Sequence, residues 1–163
     1  MTESPREHFQ SVIEKFSIAM LITRTQQNQI RARPMSIAEV REDADVWFVT
    51  CNDDGKAEEI RDDPNVCVVM TDGSRHISLS GRGELDDDRE KLRAMWSPRW
   101  QVFFPDGPDA ANVVLLKVTA EQGEYWDVSG TNAVQYLARG AMAYFTGDRP
   151  KMDQSMHDKV DLA

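Results

Sequence analysis

The sequence predicts a mainly β fold, a closed or nearly closed antiparallel barrel with helices packed outside it. Apolar segments of strand length follow one another across turn-forming residues. No strand–helix–strand alternation with long crossover helices runs through the middle of the chain, which argues against a parallel sheet. The length of 163 residues, of which 40% are hydrophobic, supports one core and one domain over residues 1–163.

The first half of the chain predicts two helices and three strands. One helix is expected over residues 7–15, where apolar residues have helical spacing. The other is expected over residues 56–62, a short segment that must stop before Pro64. The strands are expected where apolar residues alternate or run continuously, the first two being joined by a polar turn: residues 17–25, 30–36 and 46–51.

The second half predicts four more strands and a helix between them. Asp72 and Gly73 form one of the strongest short hairpin signals. The expected strands are residues 66–71, 75–85, 113–118 and 123–126. Asp86 is expected to cap a helix whose inner face carries Leu92, Met95 and Trp96.

The C-terminal segment predicts a last helix and a tail. Thr131 or Asn132 is expected to open the helix. Its apolar face is expected to consist of Val134, Leu137, Ala141, Tyr144 and Phe145. Residues 146–163 are polar and are expected to fray.

The charge and the N-terminal residues exclude several classes of function. A net charge of -9 opposes binding to nucleic acid or to an anionic membrane, because both surfaces would repel the chain. The chain has no apolar run of the roughly 18 residues that a spanning helix needs, and no secretory signal pattern at its start, so we expect a cytoplasmic location. Cys51 and Cys67 lack the spacing of a zinc site, and no metal is expected.

One stretch reverses the overall charge. Residues 15–38 contain no Asp or Glu but four basic residues, among them Arg31 and Arg33. Because side chains alternate along a strand, Arg31, Arg33 and Met35 share one face, and paired guanidinium groups suit a phosphate. The alternative is a solvated strand edge whose arginines discourage aggregation.

A second candidate anion site lies between Thr50 and Lys56. A buried strand ends at Thr50, Gly55 follows in a loop, and Lys56 lies in the first turn of a short helix. Free backbone N–H groups and the helix dipole favour an anion there. Asp53 and Asp54 would repel a phosphate if they pointed inward, so one of them is expected to cap the helix instead.

The aromatic residues after the third predicted helix have two interpretations, a ligand platform or a part of the core or of an interface. Packing into the core or an interface is the stronger expectation from composition for this group: Trp96, Trp100, Phe103 and Phe104.

A series of short motifs has the order and spacing of a known group of proteins. These are RARPM, VWFVT, GKAEEI before DDPNVCVVM, HISLSGRGEL, and MWSPRWQVFFPDGPD with VVLLKVTAEQGEYWD. The order resembles the general stress protein 26 branch of the pyridoxamine 5'-phosphate oxidase-like flavoproteins, over residues 9–145. The resemblance implies a split antiparallel β-barrel, a homodimer, and FMN held in clefts at the subunit interface. FAD is a rival cofactor, because the sequence does not show whether the cleft is open beyond the phosphate.

The resemblance also assigns roles to the two basic elements. Arg33, with Arg31 beside it, and Pro34 and Met35 correspond to the strand that lines the flavin phosphate and ring. Lys56 matches the phosphate-binding lysine. The strand end that reaches the flavin corresponds to Val49 and Thr50. The same phosphate would then meet both basic elements.

Two further positions match residues near the flavin ring. His76 falls where related enzymes carry a Gln that meets the isoalloxazine, although an exposed or backbone-bonded histidine on the polar strand face is an equal alternative. Trp126 falls where they carry a Trp contributed by the second subunit.

The chain departs from the family in two places. Gly55 stands before Lys56 where oxidases of the superfamily often have Arg, which removes one phosphate contact. After Trp126 the chain lacks the substrate-gripping segment and the terminal signature of the vitamin B6 oxidases, so oxidation of pyridoxamine phosphate is not expected. The leading interpretation is a flavin-dependent oxidoreductase or a flavin carrier in stress response. The alternative is a non-catalytic module whose cleft holds FAD, another anion or a protein partner.

Overall fold

The structure is a computed structural model that describes residues 4–147, 149 and 152–163. Within these residues seven strands, four α-helices and one 3-10 helix follow one another along the chain. In order they are α1 (Pro5–Ile13), β1 (Ile18–Arg24), β2 (Ile30–Val40), β3 (Val46–Cys51), α2 (Gly55–Asp62), β4 (Asn65–Thr71), β5 (Arg75–Asp86), α3 (Arg89–Met95), the 3-10 helix (Pro98–Val102), β6 (Val113–Asp127), α4 (Gly130–Thr146) and β7 (His157–Asp161).

Six of the strands form a closed antiparallel barrel. They are hydrogen-bonded in the order β3-β2-β1-β4-β5-β6, and β3 pairs with β6 to close the ring. Each of these strand pairs is antiparallel, and β7 adds to the edge of β6. The predicted mainly β fold, an antiparallel barrel with additional helices, is confirmed.

Strand β6 is one strand of 15 residues, so the prediction of two strands at 113–118 and 123–126 is wrong. β5 pairs with it along its length, through a register shift between Ser80 and Gly81 that breaks the alternation in sequence. A Cβ atom at Gly81 would overlap the carbonyl oxygen of Thr119, so the backbones approach too closely for a side chain. The interrupted pattern therefore marks a bulge within a strand rather than the end of one.

The C-terminal residues also differ from the prediction. The frayed tail expected over residues 146–163 includes β7, which pairs with β6 from Gln122↔Asp161 to Trp126↔His157. Met156, Val160 and Leu162 are buried. A short segment as polar as HDKVD carries too weak a period-two signal to be recognised without its partner strand. Residues 148, 150 and 151 of the predicted tail lie outside the described residues.

Helix α1 packs against the barrel and β7. The ring of Phe9 lies over Gly123, where a Cβ atom would collide with it. The helix runs from Pro5 to Ile13 instead of over 7–15, because Ser4 and Glu7 form a capping box that fixes its start. The barrel core that α1 helps to enclose includes Leu21, Phe48, Leu79, Leu116 and Tyr125.

The starts of α3 and α4 correct two predicted caps. Asp88, rather than Asp86, caps α3 by accepting from the backbone N–H groups of Glu90 and Lys91. Asp86 still belongs to β5. α4 begins at Gly130 after Ser129, slightly before the predicted Thr131 or Asn132.

The apolar residues predicted for α4 do not pack on the barrel. None of the residues of the helix is buried. Leu137, Tyr144 and Phe145 have 71%, 86% and 85% of their surface exposed. Among the described residues, no helix combines the length and the apolar character required to cross a bilayer.

Candidate functional site

A cavity of about 280 Å³ lies where β2, the end of β3, the start of α2 and the aromatic segment after α3 meet. It brings together four of the residues that the sequence singled out: Pro34, Met35, Val49 and Lys56. The rest of its lining consists of Ser36, Trp100, Phe103 and Phe104. Its walls are therefore mainly apolar and aromatic, with one ammonium group at the start of a helix.

We call this cavity the aromatic cavity. Its aromatic wall is anchored in a second small hydrophobic core. Trp100 is almost fully buried and packs in one cluster with Trp47, Val49 and Leu115. Trp96 meets Trp100 edge-on, with ring centroids 5.7 Å apart. The expected core role of these aromatic residues is thus confirmed for Trp100, while its ring also lines the cavity.

The aromatic side chains of the cavity wall differ in their exposure. The indole Nε1 of Trp100 is buried and has no hydrogen-bond partner among the described residues. Phe103, by contrast, is exposed at the rim.

Lys56 faces a carboxylate neighbour. Its Nζ forms an ion pair with Asp54 Oδ2. Asp54 is also the N-cap of α2, because its Oδ1 accepts from the backbone N–H of Ala57 at 3.0 Å. This confirms that one of the two loop aspartates caps the helix. A phosphate at Lys56 must therefore compete with Asp54.

The other two residues of this turn have different environments. Thr50 is buried, and its hydroxyl lies 3.5 Å from Asp54 Oδ2. Gly55 is the first residue of α2, and a Cβ atom there would meet no atom within 4 Å. A Cβ atom at Gly55 would therefore lie in open space.

Arg31 and Arg33 converge, as the alternation along β2 predicts, but the group that they meet is Glu59 of α2. Glu59 Oε2 accepts from Arg33 Nη2 at 2.7 Å, and Glu59 Oε1 accepts from Arg31 Nη1 at 3.1 Å. Thr23 donates its hydroxyl to Glu59 Oε2 at 2.6 Å and also meets Arg33 Nη1. We call these four residues the Glu59 cluster.

The carboxylate of the Glu59 cluster is largely shielded from water, although one of its two arginines is not. The side chain of Glu59 is 8% exposed and that of Arg33 is 21% exposed, whereas Arg31 is 57% exposed. Burial alone would raise the pKa of Glu59, but hydrogen bonds from Thr23 and Arg33 and the charges of both arginines outweigh it and hold the pKa below its ordinary value. The carboxylate is therefore ionised at neutral pH.

The two basic elements were expected to share one phosphate site, but in the structure they lie in different environments. Lys56 lines the aromatic cavity, while Arg31 and Arg33 are not among its lining residues. The sequence interpretation did not weigh Glu59. The signal that could have revealed it is an acidic residue beside Ile60 on the buried face of α2.

His76 and Trp126 lie in a different row of residues. They are direct partners across β5 and β6, with Thr71 and His157 as the next partners on either side. His76 Nδ1 lies 2.7 Å from the hydroxyl of Thr71. The ring of Trp126 stacks on that of His157 with centroids 5.1 Å apart. Neither His76 nor Trp126 lines the aromatic cavity of the same chain.

His157 was missed by the sequence analysis because it lies on β7. Its Nε2 is 2.8 Å from Glu124 Oε1, so the ring that stacks on Trp126 is itself held. A lone histidine in a polar segment carries no local signal of such a role. In the part of the chain that the structure describes, no group of three or more His, Cys, Asp or Glu side chains is arranged to hold a metal ion.

Comparison with known proteins places this geometry in a family. The sequence profile described as "Pyridoxamine 5'-phosphate oxidase like" matches residues 4–151. General stress protein 26 of Bacillus subtilis (strain 168) is 27% identical over 81 residues, which are 47% of this chain and 57% of that protein. The match thus spans little more than half the length of this curated relative.

Solved structures share the fold. The crystal structure of a candidate general stress protein 26 from Jannaschia sp. CCS1 has 27% identity and a TM-score of 0.71, covering 94% of this chain and 96% of that one. A heme binding protein from Mycobacterium smegmatis has a TM-score of 0.66 at 9% identity, covering 99% of this chain and 60% of that one, and shows the fold alone. Because the family profile extends over residues 4–151, the chain belongs to the pyridoxamine 5'-phosphate oxidase-like family.

Proposed function

We propose that the protein is an FMN-binding flavoprotein that uses the aromatic cavity for the flavin ring and Lys56 for its phosphate. The observation that carries this proposal is the composition of the cavity, which combines Pro34, Met35 and Val49 with aromatic walls and a lysine at a helix start. Ligand sites of this kind are mostly apolar, with few polar groups that fix orientation. The family to which the chain belongs supports the same cofactor.

Each group has a separate task in this proposal. Lys56 attracts the phosphate, and the first N–H groups of α2 favour the same anion. Met35, Val49 and Trp100 exclude water from the ring and restrict its orientation. The flavin, when bound, supplies hydride or electron transfer, and the protein sets its access and potential.

His76 and Trp126 enter the proposal through a second subunit. Since they lie away from the aromatic cavity of their own chain, they would approach a flavin across the interface of a homodimer, as the family resemblance implies. His76 would hydrogen-bond the ring, and Thr71 would hold its Nδ1. In this proposal the protein acts in the cytoplasm, either as a flavin-dependent oxidoreductase or as a flavin carrier in stress response.

A ligand panel tests the proposal. We expect FMN to raise the melting temperature more than riboflavin, which lacks the phosphate, with FAD, pyridoxal phosphate and haem as comparisons. At a concentration of 100 times the Kd the stabilisation is about 2.7 kcal/mol, or about 5–10 °C for a protein of this size. The purified protein should also carry a flavin absorbance band. No shift with any flavin would contradict the proposal.

Turnover is tested separately. NADH consumption by the FMN-loaded protein, above that of free FMN, supports an oxidoreductase. Binding without turnover supports a carrier.

The second candidate function is a non-catalytic binding module that takes another ligand. The observation that favours it is the ion pair of Lys56 with Asp54 together with the absence of an arginine at Gly55, both of which weaken a phosphate site. Stabilisation by haem or another anion, but by none of the flavins, would select it.

A further inference from the structure

A stretch of ten residues, 103–112, connects the 3-10 helix to β6 and forms neither helix nor strand. We call it the wall connection. Its first two residues, Phe103 and Phe104, line the aromatic cavity. At its other end, the carbonyl oxygen of Asn112 accepts a hydrogen bond from the backbone N–H of Asn52 at 2.8 Å. The wall connection therefore runs from the aromatic wall to the turn that precedes α2.

The turn that precedes α2 leads to the charged group of the cavity. It continues through Asp54, the N-cap of α2, to Lys56 in the first turn of that helix. The side chain of Asn112 also faces this turn, since its Nδ2 lies 3.5 and 3.4 Å from the two carboxylate oxygens of Asp53. A displacement of the wall connection would thus move the aromatic rings relative to the lysine that lines the same cavity.

One guanidinium group, that of Arg89 at the start of α3, contacts the second half of the wall connection and the start of β6. Its Nη1 lies 2.7 Å from the carbonyl oxygen of Val113, 2.9 Å from that of Ala110 and 3.3 Å from that of Pro108. Its Nη2 donates to the carbonyl oxygen of Ala111 at 3.0 Å. Four carbonyl oxygens from six consecutive residues therefore converge on one side chain.

Arg89 is itself held in place and is suited to this contact. Asp88 caps α3 directly before it, and Leu92, three residues later, is buried in the same small core as Trp100. A guanidinium group offers five N–H donors in one plane, so it can satisfy several carbonyl oxygens at once. Because the wall connection has no regular hydrogen-bond ladder, the guanidinium group supplies contacts that a helix or a strand would make internally.

Arg93 provides a comparison on the same helix. It also reaches the wall connection, through an ion pair with Asp109 at 2.6 Å. The side chains of this pair are 56% and 68% exposed, however. An exposed pair contributes little, because water replaces the contact when it breaks. Of the two arginines of α3, Arg89 is therefore the one that fixes the wall connection.

We propose that Arg89 is a positioning residue of the aromatic cavity, which holds the carbonyl oxygens of residues 108–113 and so sets the separation between the aromatic wall and Lys56. Arg89 is not among the lining residues, so it acts through the wall connection. The effect on a flavin rests on the proposed function, whereas the hold on the wall connection does not. Loss of Arg89 should affect binding of the flavin ring, while loss of Lys56 should affect the phosphate alone.

Hydrogen exchange tests the hold on the wall connection without a ligand. The amides of Gly107, Ala110 and Val113 donate to backbone carbonyl oxygens within this region. In Arg89→Ala they should exchange roughly tenfold faster or more than in the parent protein, while the amides between β4 and β5 keep their rates. Arg93→Ala is the matched control and should change little. Unchanged exchange over residues 103–113 in Arg89→Ala would overturn the proposal.

Flavin titrations test the positioning. At a temperature well below melting, Arg89→Ala should weaken riboflavin and FMN binding by similar factors of about 3- to 10-fold, because the ring loses a fixed aromatic wall. Arg93→Ala should leave both affinities unchanged. A residue that only stabilises the fold would lower the melting temperature and leave both affinities at their parent values, and this result would refute the positioning role.

A second variant keeps the test decisive if Arg89→Ala does not fold. Arg89→Lys retains the charge and loses the planar fork of donors, so it should show faster exchange and weaker binding of both flavins, each to a smaller extent. Exchange and binding equal to those of the parent protein in Arg89→Lys would overturn the role of the guanidinium group.

The two measurements separate this inference from the proposed function. If neither flavin binds to the parent protein but exchange over residues 103–113 rises in the Arg89 variants, the hold on the wall connection stands and the proposed function fails. If the parent and the Arg89 variants bind flavins equally tightly, the proposed function stands and the positioning role fails.

Discussion

Helix α2 takes part in two kinds of ion pair, one made by its own Lys56 and one made by its Glu59 with two arginines of β2, and the two kinds differ in how deeply the carboxylate is buried. In the Glu59 cluster, Arg33 is held by a side chain that is 8% exposed. At the aromatic cavity, Lys56 is held by Asp54, whose side chain is 30% exposed. Removing one partner of a buried pair costs about 3–5 kcal/mol, whereas an exposed pair contributes about 0–1 kcal/mol. Lys56 and Arg33 are themselves almost equally exposed, at 20% and 21%, so the difference lies in the carboxylates. Asp54 can be solvated when a ligand takes Lys56, whereas Glu59 would be left buried without its partner.

The largest effect expected from this comparison is on stability. Glu59→Ala removes the acceptor of Arg31, Arg33 and Thr23, and should lower the free energy of unfolding by about 3 kcal/mol. Thermal unfolding should then occur about 6–12 °C lower. Glu58→Gln, an exposed neighbour on the same helix, is the matched control and should change little. A loss below about 1 kcal/mol would mean that the cluster is not structural.

The next effect is on the ligand. Lys56→Ala should reduce FMN affinity by about 1.5–3 kcal/mol, or about 10- to 150-fold, through loss of a charge-assisted contact. Riboflavin affinity should stay constant, because riboflavin has no phosphate. Fluorescence titration with both flavins measures the difference.

Arg33→Ala sharpens the same comparison. The resemblance assigns Arg33 to the phosphate and predicts the same loss as for Lys56→Ala, but the Glu59 cluster predicts mainly a loss of stability. If Arg33→Ala lowers FMN affinity selectively over riboflavin while the melting temperature is kept, then Arg33 leaves Glu59 for the phosphate and the contrast between the two groups is broken.

The pH dependence of stability offers a smaller test. Because the pKa of Glu59 in the folded protein lies below its ordinary value of 4.5, the cluster contributes its full stability above about pH 4.5 and loses it as the pH falls through the lowered value. The difference in unfolding free energy between the parent protein and Glu59→Gln should therefore be largest near neutral pH and shrink in acid. Urea titrations of both proteins at several pH values measure it, and a difference that grows in acid would contradict the assigned sign.

The smallest expected effect comes from Asp54→Asn. Asparagine is an equally good N-cap, so α2 should remain stable, but Lys56 loses its competing carboxylate. FMN binding should tighten by up to about 1 kcal/mol, as expected for a partly exposed ion pair, and riboflavin binding should not change. Weaker FMN binding with an unchanged melting temperature would show that Asp54 positions Lys56 rather than competing for it.

The sequence located most of the strands of the barrel and four of the residues that line the aromatic cavity. Strands β1 to β5 were visible because alternation, apolar runs and the Asp72–Gly73 turn are local signals. Pro34, Met35, Val49 and Lys56, which the resemblance assigned to one ligand, line one cavity; their binding of a ligand stays a prediction. The convergence of Arg31 and Arg33 also followed from local geometry, since residues two apart on a strand share a face.

By itself, the sequence therefore determined the class of fold, the shared face of the two arginines and a cap on α2 from either Asp53 or Asp54, all of which depend on neighbours along the chain. Tertiary structure decided that Glu59 and not the cavity holds those arginines, that β6 continues through its bulge, that 157–161 becomes a strand, and that α4 stays exposed. Each of these features depends on which distant part of the chain an element contacts. The local residue pattern around a cation, a polar strand or an apolar helix does not identify that contact.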